Sequence, residues 1–412
     1  MKNGQPVIRE SRLYPFLKAT VGGAFVRRFK VTMEGKEILA RYTPPYIVLP
    51  NHVMFSDPFI IATLLRHPIS WVTSDTQFRS RFSRLFLTLV GAIPKTKFRS
   101  DLESVKHIMK RLKSGGVVGI YPEGRRNWDG HTTPLLYATA KLLKVLKVPV
   151  VVPLVKGGYL AEPRWSRKRR KGRVIIEFTE GFSTEELKNL SVDQIFDKMN
   201  RLLEYDEYDY LKKNPLVVEG KRLAENLELA LFICPHCKSI AKLESHFSLF
   251  TCTACGYAVH LNRYGFFEKR SEELYFETIR EWNKWQLAYL KGLLEEGEKK
   301  DQPVFEDSRV WLMQGKRNKP FKKMHFGTLS IFADRLQLSS LKGDLLVFPM
   351  DEIQSINVQS GERLEFFHQG KLLRFRFLNT LVSAYKWLAA VLLMQGKFTV
   401  PEDTYPVPGK TG

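Results

Sequence analysis

The sequence predicts an α/β sandwich around one main sheet, followed by a small cysteine-bearing ribbon and an all-β domain of barrel type closed by a helix. Three observations predict it. Between Val31 and Phe182, apolar runs of strand length alternate with segments whose apolar residues recur at three and four. The four cysteines of the chain stand as two C-x2-C pairs beyond that region. Past Gln302 the pattern changes to seven strand-like runs that end in one apolar helix. At 412 residues and roughly 150 residues per domain, two or three domains are expected. Their expected bounds are 31–210, 221–265 and 303–400, preceded by an amphipathic helix within 1–30.

Charge restricts the partners. The 65 Lys and Arg against 43 Asp and Glu leave a formal +22, an excess that implies a polyanionic partner, either an anionic membrane surface or nucleic acid. No apolar run reaches the ~18 residues that a spanning helix needs. Lys147 and Lys156 bracket the 148–155 run, and Lys386 interrupts the last apolar helix. Over 13–28, Leu13, Phe16, Leu17, Val21, Ala24 and Phe25 fall at helical spacing with Lys18, Arg27, Arg28 and Lys30 around them. This is the pattern of a helix lying in a membrane interface, with a kink expected at Gly22-Gly23. An ordinary core helix fits the same spacing. A secretory signal does not, because Lys18 interrupts the apolar region and no small-residue cleavage site is evident.

In the first domain the expected strands are 46–49, 70–73, 92–95, 117–121, 148–154 and 174–178, and the expected helices 57–66, 78–89, 101–113 and 134–145. Ligands collect at strand ends in such folds. Just past the first of these strands stands Asn51-His52-Val53-Met54-Phe55-Ser56-Asp57-Pro58, with Pro58 in the first turn of a helix and Asp57 where an N-cap belongs. Across a tight turn the carboxylate can hold one ring nitrogen of His52 while the other points outward as a base. No Ser or Cys nucleophile is needed if the substrate brings the hydroxyl. An isolated His-x4-Asp usually means only a capping Asp beside a polar loop residue.

After the 117–121 strand comes Pro122-Glu123-Gly124-Arg125-Arg126. Gly124 lets the backbone pass close to a ligand, Arg125 and Arg126 offer forked donors for phosphate, and Glu123 can fix a guanidinium or a substrate hydroxyl. Alone, this would read as a charged surface turn. Two further blocks, Gly91-Ala92-Ile93-Pro94-Lys95-Thr96-Lys97 and Val150-Val151-Val152-Pro153-Leu154-Val155, complete an ordered set of four. Over about residues 31–182 the set resembles the glycerolipid acyltransferase family, whose best-known members are the 1-acylglycerol-3-phosphate acyltransferases.

The resemblance implies that His52 is the catalytic base and Asp57 its orienting partner. It implies that Asn51, Lys97, Glu123, Gly124, Arg125 and Arg126 bind substrate. The 150–155 block reads as packing near the acyl chain, with a plain buried strand as the competing reading. The implied reaction moves a fatty acyl group directly from acyl-CoA or acyl-carrier protein to the free hydroxyl of a lysophospholipid acceptor, 1-acylglycerol-3-phosphate first among them. The implied location is the cytoplasmic face of a membrane, with peripheral or monotopic attachment. Four positions depart from the family. Thr96-Lys97 replaces Asp-Arg, so that Lys97 takes the phosphate-binding place; Arg125 replaces a small polar residue; and Val151 replaces a Pro, whereas Pro153 matches.

The segment from Arg164 to Arg173 packs seven cations into ten residues without an acid and is expected to meet anionic headgroups, at about 1 kcal/mol per cation near the surface. A helix over 185–203 is expected to close the first domain, with a linker over 204–215. Cys234-Pro235-His236-Cys237 and Cys252-Thr253-Ala254-Cys255 then give C-x2-C-x14-C-x2-C. That spacing suits two knuckles closing a four-thiolate structural Zn2+ site, a zinc ribbon with strands at 231–233, 247–251 and 257–261. Two local disulfides or a redox pair are the competing readings. His236, His246 and His260 are expected to be bystanders.

A helix at 273–294 and a charged linker at 295–302 follow. Strands at 310–313, 328–332, 336–338, 345–348, 353–358, 364–367 and 372–377 then lead into a helix at 380–394, an arrangement that resembles pleckstrin-homology and GRAM domains in topology alone. The competing function is that of a nonenzymatic zinc-ribbon protein for anionic membrane or nucleic acid. Nucleic acid is not expected, since Trp165 is the one aromatic in the cationic run.

Overall fold

The computed structural model describes residues 14–95, 102–315, 320–359 and 363–398. The chain divides into two compact units, Met1–Arg164 with Lys168–Glu219, and Trp165–Arg167 with Gly220–Gly412.

The first unit is built on seven strands: β1 Thr32–Glu34, β2 Tyr46–Val48, β3 Ile69–Ser74, β4 Ile93–Lys95, β5 Val117–Gly119, β6 Val150–Lys156 and β7 Ile175–Phe182. Its helices are α1 Tyr14–Leu17, α2 Gly23–Arg28, α3 Asp57–Leu64, α4 Arg81–Leu89, α5 Leu102–Lys113, α6 Tyr137–Leu146, α7 Thr184–Asn189, α8 Val192–Leu203 and α9 Glu207–Lys213. The spatial order of the sheet is β1-β7-β6-β2-β5-β3-β4. Strands β6, β2, β5, β3 and β4 run parallel, whereas β7 is antiparallel to β6 and carries β1 at the edge.

Parallel strands covered on both faces read as continuous apolar runs, and every residue of β2 and β5 is buried. On one face Ile47, Leu49, Val118 and Ile120 meet Ile108 and Leu112 of α5, Leu143 of α6, and Ile195 and Met199 of α8 in a single core. On the other face the ring of Trp71 lies 2.2 Å from where a Cβ on Gly119 would stand, so the strand pairing there requires glycine.

The expected strands and helices of this unit are present, with four differences. The single helix expected over 185–203 is two helices, because Ser183 and Ser191 each open a capping box, with Glu186 and Gln194, and Leu190 between them is extended. The expected linker folds as α9, where Asp206 accepts from the N–H groups of Tyr208 and Asp209 while Glu207 and Tyr208 are buried. The three-residue edge strand β1 was not expected, since so short a run shows no period. Finally, the N-terminal segment is helical from Tyr14 with a π-turn over Lys18–Gly22, and Gly22 and Gly23 are both right-handed helical, so they form no break. Gly22 instead permits close approach to α3: a Cβ there would fall 1.8 Å from Thr63 Oγ1.

The second unit opens with a four-stranded antiparallel sheet, β8 Leu243–His246, β9 Leu249–Cys252, β10 Ala258–Leu261 and β11 Phe267–Lys269, in the order β11-β10-β9-β8. The strand expected at 231–233 is only a single bridge, Ile233 to Ile240, because it serves as one arm of a cysteine knuckle. Helix α10, Ile279–Lys300, runs through the residues expected to be a charged linker. Its exposed charges pair along the helix, as Lys291 does with Glu295 at 3.7 Å.

A seven-stranded antiparallel sheet follows, with β12 Phe305–Gly315, β13 Lys322–Ile331, β14 Arg335–Ser340, β15 Leu345–Pro349, β16 Gln354–Gln359, β17 Arg363–His368 and β18 Lys371–Phe377 in the order β15-β14-β13-β12-β18-β17-β16. The sheet curls on itself, since Phe348 of β15 meets Phe366 of β17 and Phe375 of β18 edge to face at 5.7 and 5.5 Å. Helix α11, Ala384–Met394, packs against β16 and β17.

The cysteine sheet does not stand apart from the rest of this unit. Gln286 of α10 donates to Ala230 O and accepts from Phe232 N–H, both at 2.8 Å, and Trp282 Nε1 donates to Ile233 O at 2.9 Å. Ser383, the cap of α11, donates to Leu229 O at 2.8 Å. Each is a buried polar contact that would leave an unpaired group if the two parts separated.

Candidate active site

Asn51 lies just past β2 and fastens the strand end to its neighbour. Its Oδ1 accepts from Val155 N–H at 2.8 Å and its Nδ2 donates to Val155 O at 3.1 Å, so the side-chain amide continues the ladder to β6 where the main chain leaves it. The chain then turns through His52 to Ser56 and enters α3.

Asp57 is not the cap of that helix. Ser56 holds the N-cap place, and the Asp57 carboxylate turns back into the loop. Its Oδ2 accepts from Val53 N–H and Met54 N–H, both at 2.8 Å, and lies 3.3 Å from His52 Nδ1. The carboxyl group is completely buried, and burial raises its pKa well above the usual carboxylate range against the pull of the two N–H donors. Ser56, freed from capping, donates its N–H at 3.0 Å and its hydroxyl at 2.6 Å to Glu162 Oε2. Glu162 is itself paired with Arg169 Nε at 2.5 Å.

The second block closes on the first from β5. Glu123 is buried, and its Oε1 accepts the backbone N–H of His52 at 2.5 Å. Its Oε2 accepts the N–H and hydroxyl of Thr133, both at 2.8 Å. Both oxygens are thus engaged by the chain itself, where a guanidinium or a substrate hydroxyl is the partner expected from sequence. Burial pushes this carboxyl to about 7.

Tyr121 stacks on the His52 imidazole with ring centres 4.0 Å apart, and Trp71 stacks on Tyr121 at 5.0 Å. The Tyr121 hydroxyl is buried with no hydrogen-bond partner among the described residues, and burial raises its pKa, with Asp57 and Glu123 adding to the effect. Gly124 has φ +66°, the left-handed conformation that turns the chain beside His52. Arg125 and Arg126 are half-buried. The Arg126 guanidinium interacts with Glu162, Asp57 and Arg169, and burial lowers its pKa.

The structure therefore brings His52, Asp57, Glu123, Gly124, Arg125 and Arg126 to the adjoining ends of β2 and β5, with Asn51 as a fastening. Thr96 and Lys97 lie outside the described residues. Sequence reasoning missed Glu162, Tyr121 and Trp71. Tyr121 was legible as the residue that opens the Glu-Gly-Arg-Arg block, but the partnership of Ser56 with Glu162 spans 106 positions and leaves no local pattern. A cavity of about 450 Å³ lined by Arg41, Tyr42, Glu180, Phe182 and Lys198 sits at the start of β6, at the opposite end of that strand from Val155 and Asn51.

In the second unit the sulfur atoms of Cys234, Cys237, Cys252 and Cys255 all lie within 4.8 Å of one another. Cys234 and Cys255, and likewise Cys237 and Cys252, are 3.7 Å apart. A disulfide needs ~2.05 Å, whereas thiolates at ~2.3 Å from one tetrahedral ion stand about 3.8 Å apart. The donor set and its spacing fit a four-thiolate metal site.

Residues 30–155 match the family model described as Acyltransferase. The 1-acyl-sn-glycerol-3-phosphate acyltransferase LPAT1, chloroplastic, of Arabidopsis thaliana is 27% identical over 104 residues, 25% of this chain and 29% of that protein. The corresponding chloroplastic enzyme BAT2 of Brassica napus is 25% identical over 125 residues, 30% of this chain and 36% of that protein. A 1-acyl-sn-glycerol-3-phosphate acyltransferase of Borreliella burgdorferi is 27% identical over 105 residues, 25% of this chain and 42% of that protein. The match thus spans less than half the length of each relative. The crystal structure of the 1-acyl-sn-glycerophosphate acyltransferase PlsC from Thermotoga maritima aligns at a TM-score of 0.40 and 16% identity, covering 46% of this chain and 78% of that one, too loose a fit to argue from. The His52-Asp57 turn and the Glu123 block both lie inside residues 30–155, the stretch that matches the Acyltransferase family model.

Proposed function

We propose that this protein transfers a fatty acyl group from the thioester of acyl-CoA or acyl-carrier protein to the free hydroxyl of a lysophospholipid, with 1-acylglycerol-3-phosphate the first acceptor to test. The single observation that carries the reading is His52 Nδ1 held 3.3 Å from a fully buried Asp57 Oδ2 at a strand end. We assign the acceptor's hydroxyl proton to Nε2, the ring nitrogen that does not face Asp57. The hydroxyl oxygen then attacks the thioester carbonyl, the C–S bond breaks, and the thiolate leaves with the proton returned by the imidazolium. Asp57 favours the imidazolium while it exists, and no acyl-enzyme forms. Arg125 and Arg126 supply charge for the acceptor's phosphate, while Glu123 and Asn51 hold the turn that carries His52. General-base catalysis of this kind contributes typically ~10²–10⁴-fold.

In the second unit, Cys234, Cys237, Cys252 and Cys255 would hold a Zn2+ ion. Four thiolates leave no open position for water, so the metal would be structural. We read this unit as a zinc ribbon joined to a pleckstrin-homology or GRAM-like fold. The cationic run and the N-terminal helix are the elements we assign to an anionic membrane surface at the cytoplasmic face. The test is transfer of labelled acyl groups from acyl-CoA, and separately from acyl-carrier protein, to a panel of lysophospholipids on vesicles. Product from one pair names donor and acceptor; no product from any pair refutes the reading.

A further inference from the structure

Helix α4 buries none of its residues, yet Phe82, Leu85, Phe86 and Leu89 recur along it at helical spacing. Phe82 is 81% and Leu85 62% exposed. Phe59 of α3 links this helix to the N-terminal segment, with Phe86 at 6.3 Å on one side and Phe25 at 5.7 Å on the other. Phe55, in the turn three residues past His52, is 6.1 Å from the same ring and half exposed. Phe16 of α1 is also exposed. Single apolar residues at a surface are ordinary; a row of them on elements of one charge calls for a partner. Residues 14–33 and 76–95 together contain eight Lys or Arg and no acid.

We propose that α4 is a bilayer-inserting element: Phe82 and Leu85 enter the acyl region of an anionic membrane beside Phe16 and Phe55, while the surrounding arginines meet the headgroups. The proposal deepens the acyltransferase reading and rests on it only for its purpose, which is to let a membrane-resident acceptor reach the His52 turn without crossing water. A second copy of the chain would also cover an apolar face, but it would bring the same positive charge against itself. An anionic bilayer complements both the apolar row and its rim.

The test is sedimentation of the full chain with vesicles of phosphatidylcholine and phosphatidylglycerol, against vesicles of phosphatidylcholine alone. Wild type is compared with a Phe82→Ser, Leu85→Ser double variant and with a Phe82→Leu, Leu85→Ile variant. Losing two apolar side chains from the membrane is expected to weaken partitioning by about tenfold or more, and the apolar variant is expected to bind as wild type does. Retention of full binding by the serine variant, loss of it by the apolar variant, or a dimer that the serine substitutions dissociate would overturn the proposal. Turnover on a short-chain, freely soluble lysophospholipid is expected to survive in the serine variant. If no acceptor is acylated by any form while binding still depends on Phe82 and Leu85, the acyltransferase reading fails and the membrane assignment stands.

Discussion

The backbone N–H of His52 donates to Glu123 Oε1 at 2.5 Å, across 71 positions of sequence. That bond makes the His-Asp turn and the Glu-Gly-Arg-Arg turn one structure. Glu123→Gln keeps the volume but must place an amide NH2 against either His52 N–H or the Thr133 donors, leaving a buried group unsatisfied. The expected cost is about 1–3 kcal/mol of stability, with kcat for acyl transfer falling at least tenfold and KM for the acceptor nearly unchanged. Thermal melts and steady-state kinetics together check it; a rise in KM alone would return Glu123 to direct substrate contact.

Tyr121 fills the space between Trp71 and the His52 ring. Tyr121→Phe removes a buried hydroxyl that has no partner among the described residues, so we expect unchanged turnover and stability equal to or up to about 1 kcal/mol above wild type. Tyr121→Ala opens a cavity under the imidazole, at a cost of about 3–5 kcal/mol, and should lower kcat by freeing the ring. A phenylalanine variant as inactive as the alanine one would show that the hydroxyl, and not the ring, is what His52 needs.

Buried carboxyls set a pH dependence, Glu123 and Glu207 among them. Burial raises Glu123 and Glu207 from 4.5 to about 7 in the folded protein. A carboxyl with a raised folded pKa favours the folded state in its protonated form, so its contribution is full below pH ~4.5 and is lost as pH rises through ~7. Each shift corresponds to roughly 3 kcal/mol between those limits. Glu207→Gln, away from the His52 turn, should flatten the fall in melting temperature between these pH values. Parallel wild-type and variant curves over that window would contradict the assignment.

Metal removal should act on the second unit alone. The chain is expected to carry one Zn2+, measured by elemental analysis, and a strong chelator is expected to unfold the β8–β11 sheet together with its contacts to α10 and α11. Structural zinc in small modules contributes an apparent ~10–16 kcal/mol at neutral pH, so the loss would be cooperative and visible as a lost calorimetric transition, with the other transition retained. A metal-free protein that melts identically would refute the site.

How much of this was legible in sequence follows from the range of each interaction. His52, Asp57 and Glu123 stand in short blocks whose order is visible along the chain, and the seven strands and final helix of the C-terminal sheet follow from period alone. Range also explains the misses. Asp57 stands where an N-cap belongs because it precedes Pro58, but Ser56 holds that place without a side-chain capping bond, and the Asp57 carboxylate serves the turn behind it. The tyrosine-rich 204–210 stretch looked like a linker, yet Glu207 is buried against Tyr205 and Gly157, partners that only the fold supplies. Glu162 carries no motif at all, because its value lies in accepting two hydrogen bonds from a serine on another element.

The most direct test of the central claim compares acyl transfer by wild type and His52→Ala on the acceptor that the panel identifies, with both proteins shown to melt alike. The account predicts a loss of ~10²–10⁴-fold in kcat with the fold intact, since His52 is part-exposed and its backbone N–H, which holds Glu123, remains. Turnover by His52→Ala within a few fold of wild type would contradict the account.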